Sequence, residues 1–177
     1  ILETQRIPVL NPPRCLEVAI DKWLTLHRLA VRGLPVPQTI VCQQKEDAMA
    51  AFATLGSDVI VKPLFGGEGR GMLRLTDEDM AWRAFSTLRQ LRSINYIQQF
   101  CEHFGYDIRV LLIGDCCYSM KRRSKPDSWR TNIAQGSRAE SHQLTDKQRD
   151  LALQAAEAVA GAARPETVLG VDLLPCK

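Results

Sequence analysis

Four groups of residues in this chain have the types and spacing expected of chemistry on anions. The first is Lys62 with the glycine-dense stretch after it, where Gly66, Gly67, Gly69 and Gly71 fall close together. Glycine reaches backbone conformations that a side chain forbids, so several N–H groups can converge on one phosphate. The second is Lys22, and the third is Asp107-Ile108-Arg109. The fourth joins Lys121-Arg122-Arg123 and Trp129-Arg130-Thr131-Asn132 with the distant Asp172. Asp172 sits between Val171 and Leu173 in an otherwise apolar strand, where an unpaired carboxylate is costly; a cation or an arginine should meet it. Each group has a plainer reading as well. Lys22 fits a solvated helix surface, the basic run from Lys121 to Lys125 fits a solvated face or a phosphate-backbone patch, and the glycines fit a surface hairpin.

Other chemistries find little support. His27, His103 and His142 lack metal-ligand spacing, and His27 reads as packed on an apolar helix face. Neither a G-x-S-x-G elbow nor a Cys-His arrangement is present, which argues against a covalent nucleophile.

The elements that must position these residues follow from periodicity. Pro8, Asn11, Pro12 and Pro13 mark residues 1–16 as a linker. Ile20, Trp23, Leu24, His27 and Val31 recur at helical spacing until Gly33 and Pro35. A strand over Gln38–Cys42 and an alanine-rich helix over Lys45–Leu55 come next. Val59-Ile60-Val61-Lys62 and Met72–Thr76 flank the glycines as two strands, so the loop is a hairpin lid and not the strand-to-helix turn of a dinucleotide or Walker loop. Thr76 and Asp79 resemble a capping pair for a helix carrying Met80, Ala84, Leu88 and Leu91 on one face. Tyr96–Phe100 reads as a strand, and Asp107–Ile113 with Cys116–Arg122 as a hairpin turning at Gly114-Asp115. Residues 123–144 read as loop. Thr145 and Gln148 cap a helix running to about Ala163, and Thr167–Leu174 forms a last strand. Helices and strands alternate without a strict β-α-β period, which favours α+β lobes over a doubly wound sheet.

Composition sets the frame. The chain has 177 residues, 45% of them apolar, with 23 Lys and Arg against 20 Asp and Glu for a net charge of +3. That charge does not mark nucleic acid as the main partner, and no apolar run reaches the length of a membrane span. Six cysteines without a C-x-x-C pair suggest reduced thiols in a cytoplasm. The start at Ile1 and the stop just after an apolar strand suggest an internal fragment of a longer protein.

Taken in order, Asp21-Lys22, Val59-Ile60-Val61-Lys62-Pro63 with the Phe65–Gly71 loop, Tyr96–Phe100, Tyr106–Val110, Lys121–Arg123, Trp129–Asn132 and Leu169–Asp172 resemble the ATP-grasp superfamily. Within it they are similar to the RimK-like α-L-glutamate ligases, including tetrahydromethanopterin-type and other cofactor-tailoring ligases. The resemblance runs from about Asn11 to Leu174. It implies an ATP-grasp fold of two mixed α/β lobes with the nucleotide between them, truncated at both ends. The expected division is 1–16 as linker from a missing N-terminal domain, 17–97 as first lobe with its glycine hairpin at 64–71, and 98–177 as an incomplete second lobe.

It also implies carboxylate–amine ligation through an acyl phosphate, with an amino acid such as glutamate added to a carboxylate substrate. Lys22 and Lys62 would hold phosphates, with Gly66, Gly67, Gly69 and Gly71 closing over them. Gln99 and Phe100 match the adenine hinge, contacted largely through backbone, and Asp107 matches a position facing the ribose or nearby groups. Arg122, Arg130 and Asn132 match the catalytic segment at the transferring phosphoryl group. Asp172 matches the first ligand of Mg2+, or of Mn2+ in its place. Relatives add an acidic ligand and an Asn on the next strand, and Gln135 stands where many carry Arg. The fragment alone is expected to be inactive; its oligomeric state stays open. A non-catalytic nucleotide-binding module is the alternative from another class, and a nucleic-acid binder using residues 121–125 is a third, without a stacking motif to support it.

Overall fold

The computed structural model describes residues 3–5, 7–161 and 166–177. Helices α1 (Pro13–Ile20) and α2 (Lys22–Val31) precede β1 (Thr39–Cys42), α3 (Lys45–Thr54), β2 (Val59–Lys62), β3 (Leu73–Leu75), α4 (Glu78–Gln90) and β4 (Asn95–Gln99). Then come β5 (Tyr106–Ile113), β6 (Cys116–Arg123), β7 (Arg138–Ser141), α5 (Asp146–Ala160) and β8 (Val168–Leu173). The chain forms two compact units, residues 36–102 and residues 1–35 with 103–177. This division differs from lobes of 17–97 and 98–177: the helical segment up to Pro35 belongs with the later residues, and residues 98–102 belong with the earlier unit. Among the described residues no helix is long and apolar enough to cross a membrane.

The 36–102 unit is an antiparallel sheet in the order β1-β4-β2-β3. Val59, Val61, Leu75 and Ile97 pack with Ala48, Ala51 and Phe52 of α3 and Ala81 and Phe85 of α4. Fully buried Phe85 stabilises this core by about 1.5–3 kcal/mol. Helix α4 starts differently from the expected pair: Asp77, not Thr76, is the N-cap and accepts from Met80 N at 2.8 Å. Ala81 and Phe85 are buried with Ala84 and Leu88 against them, while Met80 and Leu91 are exposed.

The other unit is an antiparallel sheet in the order β7-β6-β5-β8. Ile108, Val110, Leu112 and Leu169 on one sheet face meet Ala152 and Ala156 of α5 and Cys15 of α1. Cys15 and Asn11 correct the linker reading of residues 1–16. Cys15 is buried, and the Asn11 side chain donates to Val168 O at 2.9 Å and accepts from Val168 N. The expected single helix is two, because Asp21 leaves helical geometry (φ −91°, ψ 107°) and accepts from Trp23 N and Leu24 N as the N-cap of α2. None of α2's residues is fully buried and His27 is exposed, contrary to a packed histidine. Strand β7 was unforeseen in the 123–144 segment, since its four residues are all exposed and lack apolar alternation. The Thr145–Gln148 capping box is present; the expected end of α5 near Ala163 lies outside the described residues.

Candidate active site

The candidate residues fall on both units, and the group on each unit has its own internal geometry. In the 36–102 unit, β2 and β3 pair antiparallel from Val59–Leu75 to Val61–Leu73, so the glycine segment is the expected hairpin. Gly66, Gly69 and Gly71 take positive φ values of 101°, 71° and 69°. At Gly71 there is a second constraint, because a Cβ there would lie 2.9 Å from Pro63 Cγ. The neck of the loop closes only on a glycine. Inside it is an open recess of about 410 Å³ lined by Pro63, Phe65, Gly66, Gly67 and Gly71, with Glu68 and Arg70 paired at 2.8 Å.

At the foot of this hairpin Lys62 donates to Gln98 Oε1. Gln98 is buried, and its amide donates to Thr39 Oγ1 at 2.9 Å and to Tyr96 OH at 3.4 Å. With the amide fixed at both ends, its carbonyl oxygen is fixed towards the ammonium. Gln99 and Phe100 are similarly held: Gln99 N donates to Gln38 O and Phe100 N to Asp58 O, both at 2.9 Å. Those two N–H groups serve the unit's own frame. Arg74 adds a clamp that sequence reading missed. Its guanidinium grips Asp58 with two hydrogen bonds, at 2.8 and 2.7 Å, and lies 3.5 Å from the Phe100 ring centroid.

The second half-site lies on the open face of the β7-β6-β5-β8 sheet. Because the hairpin turns at Gly114-Asp115, Asp107 faces Arg122 across β5 and β6, while the separate register of β8 on β5 sets Arg109 opposite Asp172. Arg122 forks onto both oxygens of Asp107 and reaches Asp172 Oδ2 at 3.0 Å. Burial works against the charge of Arg122, but the hydrogen bond to Asp107 and the charges of Asp172 and Asp107 outweigh it and raise its pKa above the ordinary value. Arg109 also forks onto Asp172, both contacts at 2.7 Å. The expectation that an arginine meets Asp172 is thus met twice.

Asp107 is engaged from a third side, by Thr131 Oγ1 at 2.7 Å. Thr131 is the middle residue of Arg130-Thr131-Asn132, so the same carboxylate that orients Arg122 also anchors the segment carrying Arg130 and Asn132. With side chains only 3% and 7% exposed, the Arg122–Asp107 pair is worth about 3–5 kcal/mol against removal of one partner. Arg130 lies with its guanidinium 4.4 Å from the Trp129 ring, and Asn132 opens a short 3-10 turn over Ile133–Gln135. Lys22 occupies the first turn of α2, where burial lowers its pKa and nearby Asp21 partly opposes the shift.

For a metal, among the described residues no group of three His, Cys, Asp or Glu side chains comes together. Asp172 is a half-exposed carboxylate whose two oxygens both accept from guanidinium N–H groups, and as a hard oxygen donor it has the chemistry of a single magnesium ligand. Asp107 is the less suited of the two, being buried with its partners Arg122 and Thr131.

Two antiparallel sheets, one ending in a lysine beside a glycine hairpin and the other carrying an arginine–aspartate face, define an ATP-grasp fold. The fold is shared with the D-alanine–D-alanine ligase of Bacillus anthracis complexed with ATP (TM-score 0.73, 19% identity, 98% of this chain and 56% of that one). It is shared too with the ATP-grasp ligase PsnB complexed with minimal precursor, Mg and ADP (TM-score 0.71, 25% identity, 98% and 51%). The chain belongs to the RimK-like ATP-grasp domain family, whose model matches residues 19–177. It is 31% identical over 185 residues to the tetrahydromethanopterin:α-L-glutamate ligase of Methanosarcina acetivorans, covering 98% of this chain and 55% of that protein. To the α-aminoadipate–LysW ligase LysX of Sulfurisphaera tokodaii it is 33% identical over 178 residues, covering 98% and 60%. The chain therefore spans little more than half the length of these relatives.

Proposed function

We propose that this chain is the nucleotide-binding core of an ATP-dependent ligase that joins a carboxylate to the amine of an amino acid of the glutamate class. The observation that carries this reading is the open sheet face on which Asp172 stands between two arginines while Asp107 fixes Arg122 and Thr131. In the proposed reaction a substrate carboxylate oxygen attacks the γ-phosphorus of ATP and ADP leaves. The amine then attacks the acyl phosphate carbon, phosphate departs, the amine loses a proton, and an amide remains.

Lys22 and Lys62 bind phosphates already charged in the ground state, with Gln98 aiming Lys62. The hairpin of Gly66, Gly67, Gly69 and Gly71 covers the β- and γ-phosphates and excludes water from the acyl phosphate. The segment at Gln99 and Phe100 receives the base through groups other than the two N–H donors used inside the unit. Arg122, Arg130 and Asn132 supply donors where charge develops on the transferring phosphoryl group. Asp107 acts through them as a positioning residue. Magnesium, or manganese in its place, held by Asp172 and phosphate oxygens, would neutralise phosphate charge. Both substrates and ATP are cytoplasmic in this reading.

The test is ADP release by the whole protein with ATP, magnesium, glutamate and a panel of carboxylate acceptors. Acceptor-dependent ADP release that Asp172→Asn abolishes is expected. ATP binding without release under any acceptor would favour a non-catalytic nucleotide-binding module.

A further inference from the structure

We propose that Arg109 is a built-in counter-cation for Asp172, so that a divalent cation enters this site by exchange with a guanidinium and not by simple addition. The proposal rests on the reading of Asp172 as a metal ligand. It begins from the inequality of the two arginines that Asp172 meets. Arg122 is 3% exposed and is locked by its fork onto Asp107, whose second oxygen also accepts from Thr131. Its contact with Asp172 is a single one at 3.0 Å. Arg109 instead takes both oxygens of Asp172 at 2.7 Å, and the two side chains are 43% and 42% exposed. Among the described residues Asp172 is the only carboxylate within ion-pair distance of Arg109.

Charge favours the exchange. Arg109 and Arg122 against Asp107 and Asp172 sum to zero, so the face is balanced before any metal arrives. A dication added on top would sit on a carboxylate whose two oxygens already accept from guanidinium N–H groups. Attraction of the dication to the carboxylate gains when one arginine gives way. Arg122 cannot leave without stranding the buried Asp107 carboxylate, whereas Arg109 returns to solvent at little cost because its pair is half-exposed already.

The test uses the whole protein and Mn2+ alone, titrated by water-proton relaxation. Arg109→Met should bind Mn2+ more tightly by about fivefold, the factor an exposed ion pair commands. Asp172→Asn should lose the site in either background. Unchanged or weaker binding in Arg109→Met, with binding still lost in Asp172→Asn, overturns the exchange and leaves the metal reading standing. Mn2+ affinity untouched by Asp172→Asn overturns both. Modification of Arg109 by phenylglyoxal in the unmutated protein, read by peptide mass spectrometry, gives a check that needs no variant. It should accelerate when Mn2+ is added, and an unchanged or slower rate contradicts the proposal.

Discussion

Asp107 illustrates how one residue's role depends on facts of different sequence range. A two-residue turn at Gly114-Asp115 fixes the register of β5 on β6, so the pairing of Asp107 with Arg122 is contained in the local sequence. The turn was legible, and the resemblance placed Asp107 towards the ribose or nearby nucleotide groups; the hold of this carboxylate on Arg122 and Thr131 was not foreseen. The partnership of Arg109 with Asp172 had no local signal, since it needs the register of β8 on β5 across more than sixty residues. Removing a partner from the buried pair strands a charge, so Asp107→Ala should lose about 3–5 kcal/mol in urea unfolding. It should also lower turnover by loosening Arg122 and the Thr131 anchor. A loss under about 1 kcal/mol would mean that solvent reaches the pair.

Lys22 gives a second prediction at this scale. Its pKa is lowered in the folded chain, first by burial, so the unfolded chain binds this proton more strongly. The resulting cost to stability is full below the folded pKa and vanishes as pH rises above the unfolded value of about 10.4. Lys22→Met should therefore be more stable than the unmutated chain at neutral pH, with the difference shrinking across the alkaline range. The same variant should bind ATP more weakly. Parallel urea titrations at several pH values measure the first effect, and a constant difference would contradict it.

Among the elements, those with strong local chemistry were legible and those specified by packing were not. Alternating Val59-Ile60-Val61 and Leu73-Arg74-Leu75 around a glycine run gave the β2–β3 hairpin, and Thr145 with Gln148 gave the start of α5. Helix α4 was found with Ala84 and Leu88 on its inner side as expected, but Met80 and Leu91 were also placed there, because they look as apolar as Ala81 and Phe85 until the sheet beneath selects a face. Strand β7 was missed because Arg138-Ala139-Glu140-Ser141 is an exposed edge held by pairing to β6, with Glu140 bonded to Arg123.

The hairpin neck makes the test of the lid. Gly71→Ala meets a positive φ and the Pro63 ring together, so the neck should reshape at a cost of about 1–2 kcal/mol. ATP affinity should fall, while hydrogen exchange of the β2–β4 core stays near its original rate. Unaltered ATP affinity would remove the lid from the account.

At the scale of the whole molecule the chain builds two cores, one under each half-site, and the segment up to Pro35 joins the core of the later unit. Sequence reading recovered two α+β lobes from the interspersed elements, yet placed the boundaries by order along the chain. The burial of Cys15 and the hydrogen bonds of Asn11 to Val168 depend on contacts more than a hundred residues apart, which no local pattern carries.

The proposed division of labour predicts different kinetics from the two half-sites. Lys62→Met should weaken ATP binding, since its ammonium meets phosphates in the ground state. Arg130→Ala should mainly lower turnover, since it acts where charge develops. ATP affinity and single-turnover ADP formation on the whole protein separate these effects, and unchanged values for both variants would remove the mechanism.

The central claim is that this site phosphorylates a carboxylate, and isotope transfer from that carboxylate tests it most directly. The whole protein is given ATP, magnesium, glutamate and an acceptor whose carboxylate oxygens are labelled with 18O. The account predicts ADP and inorganic phosphate in equal amounts, with one labelled oxygen in each phosphate released and none of this turnover in Asp172→Asn. Unlabelled phosphate, or label appearing in AMP with pyrophosphate released, would contradict an acyl phosphate formed at this site.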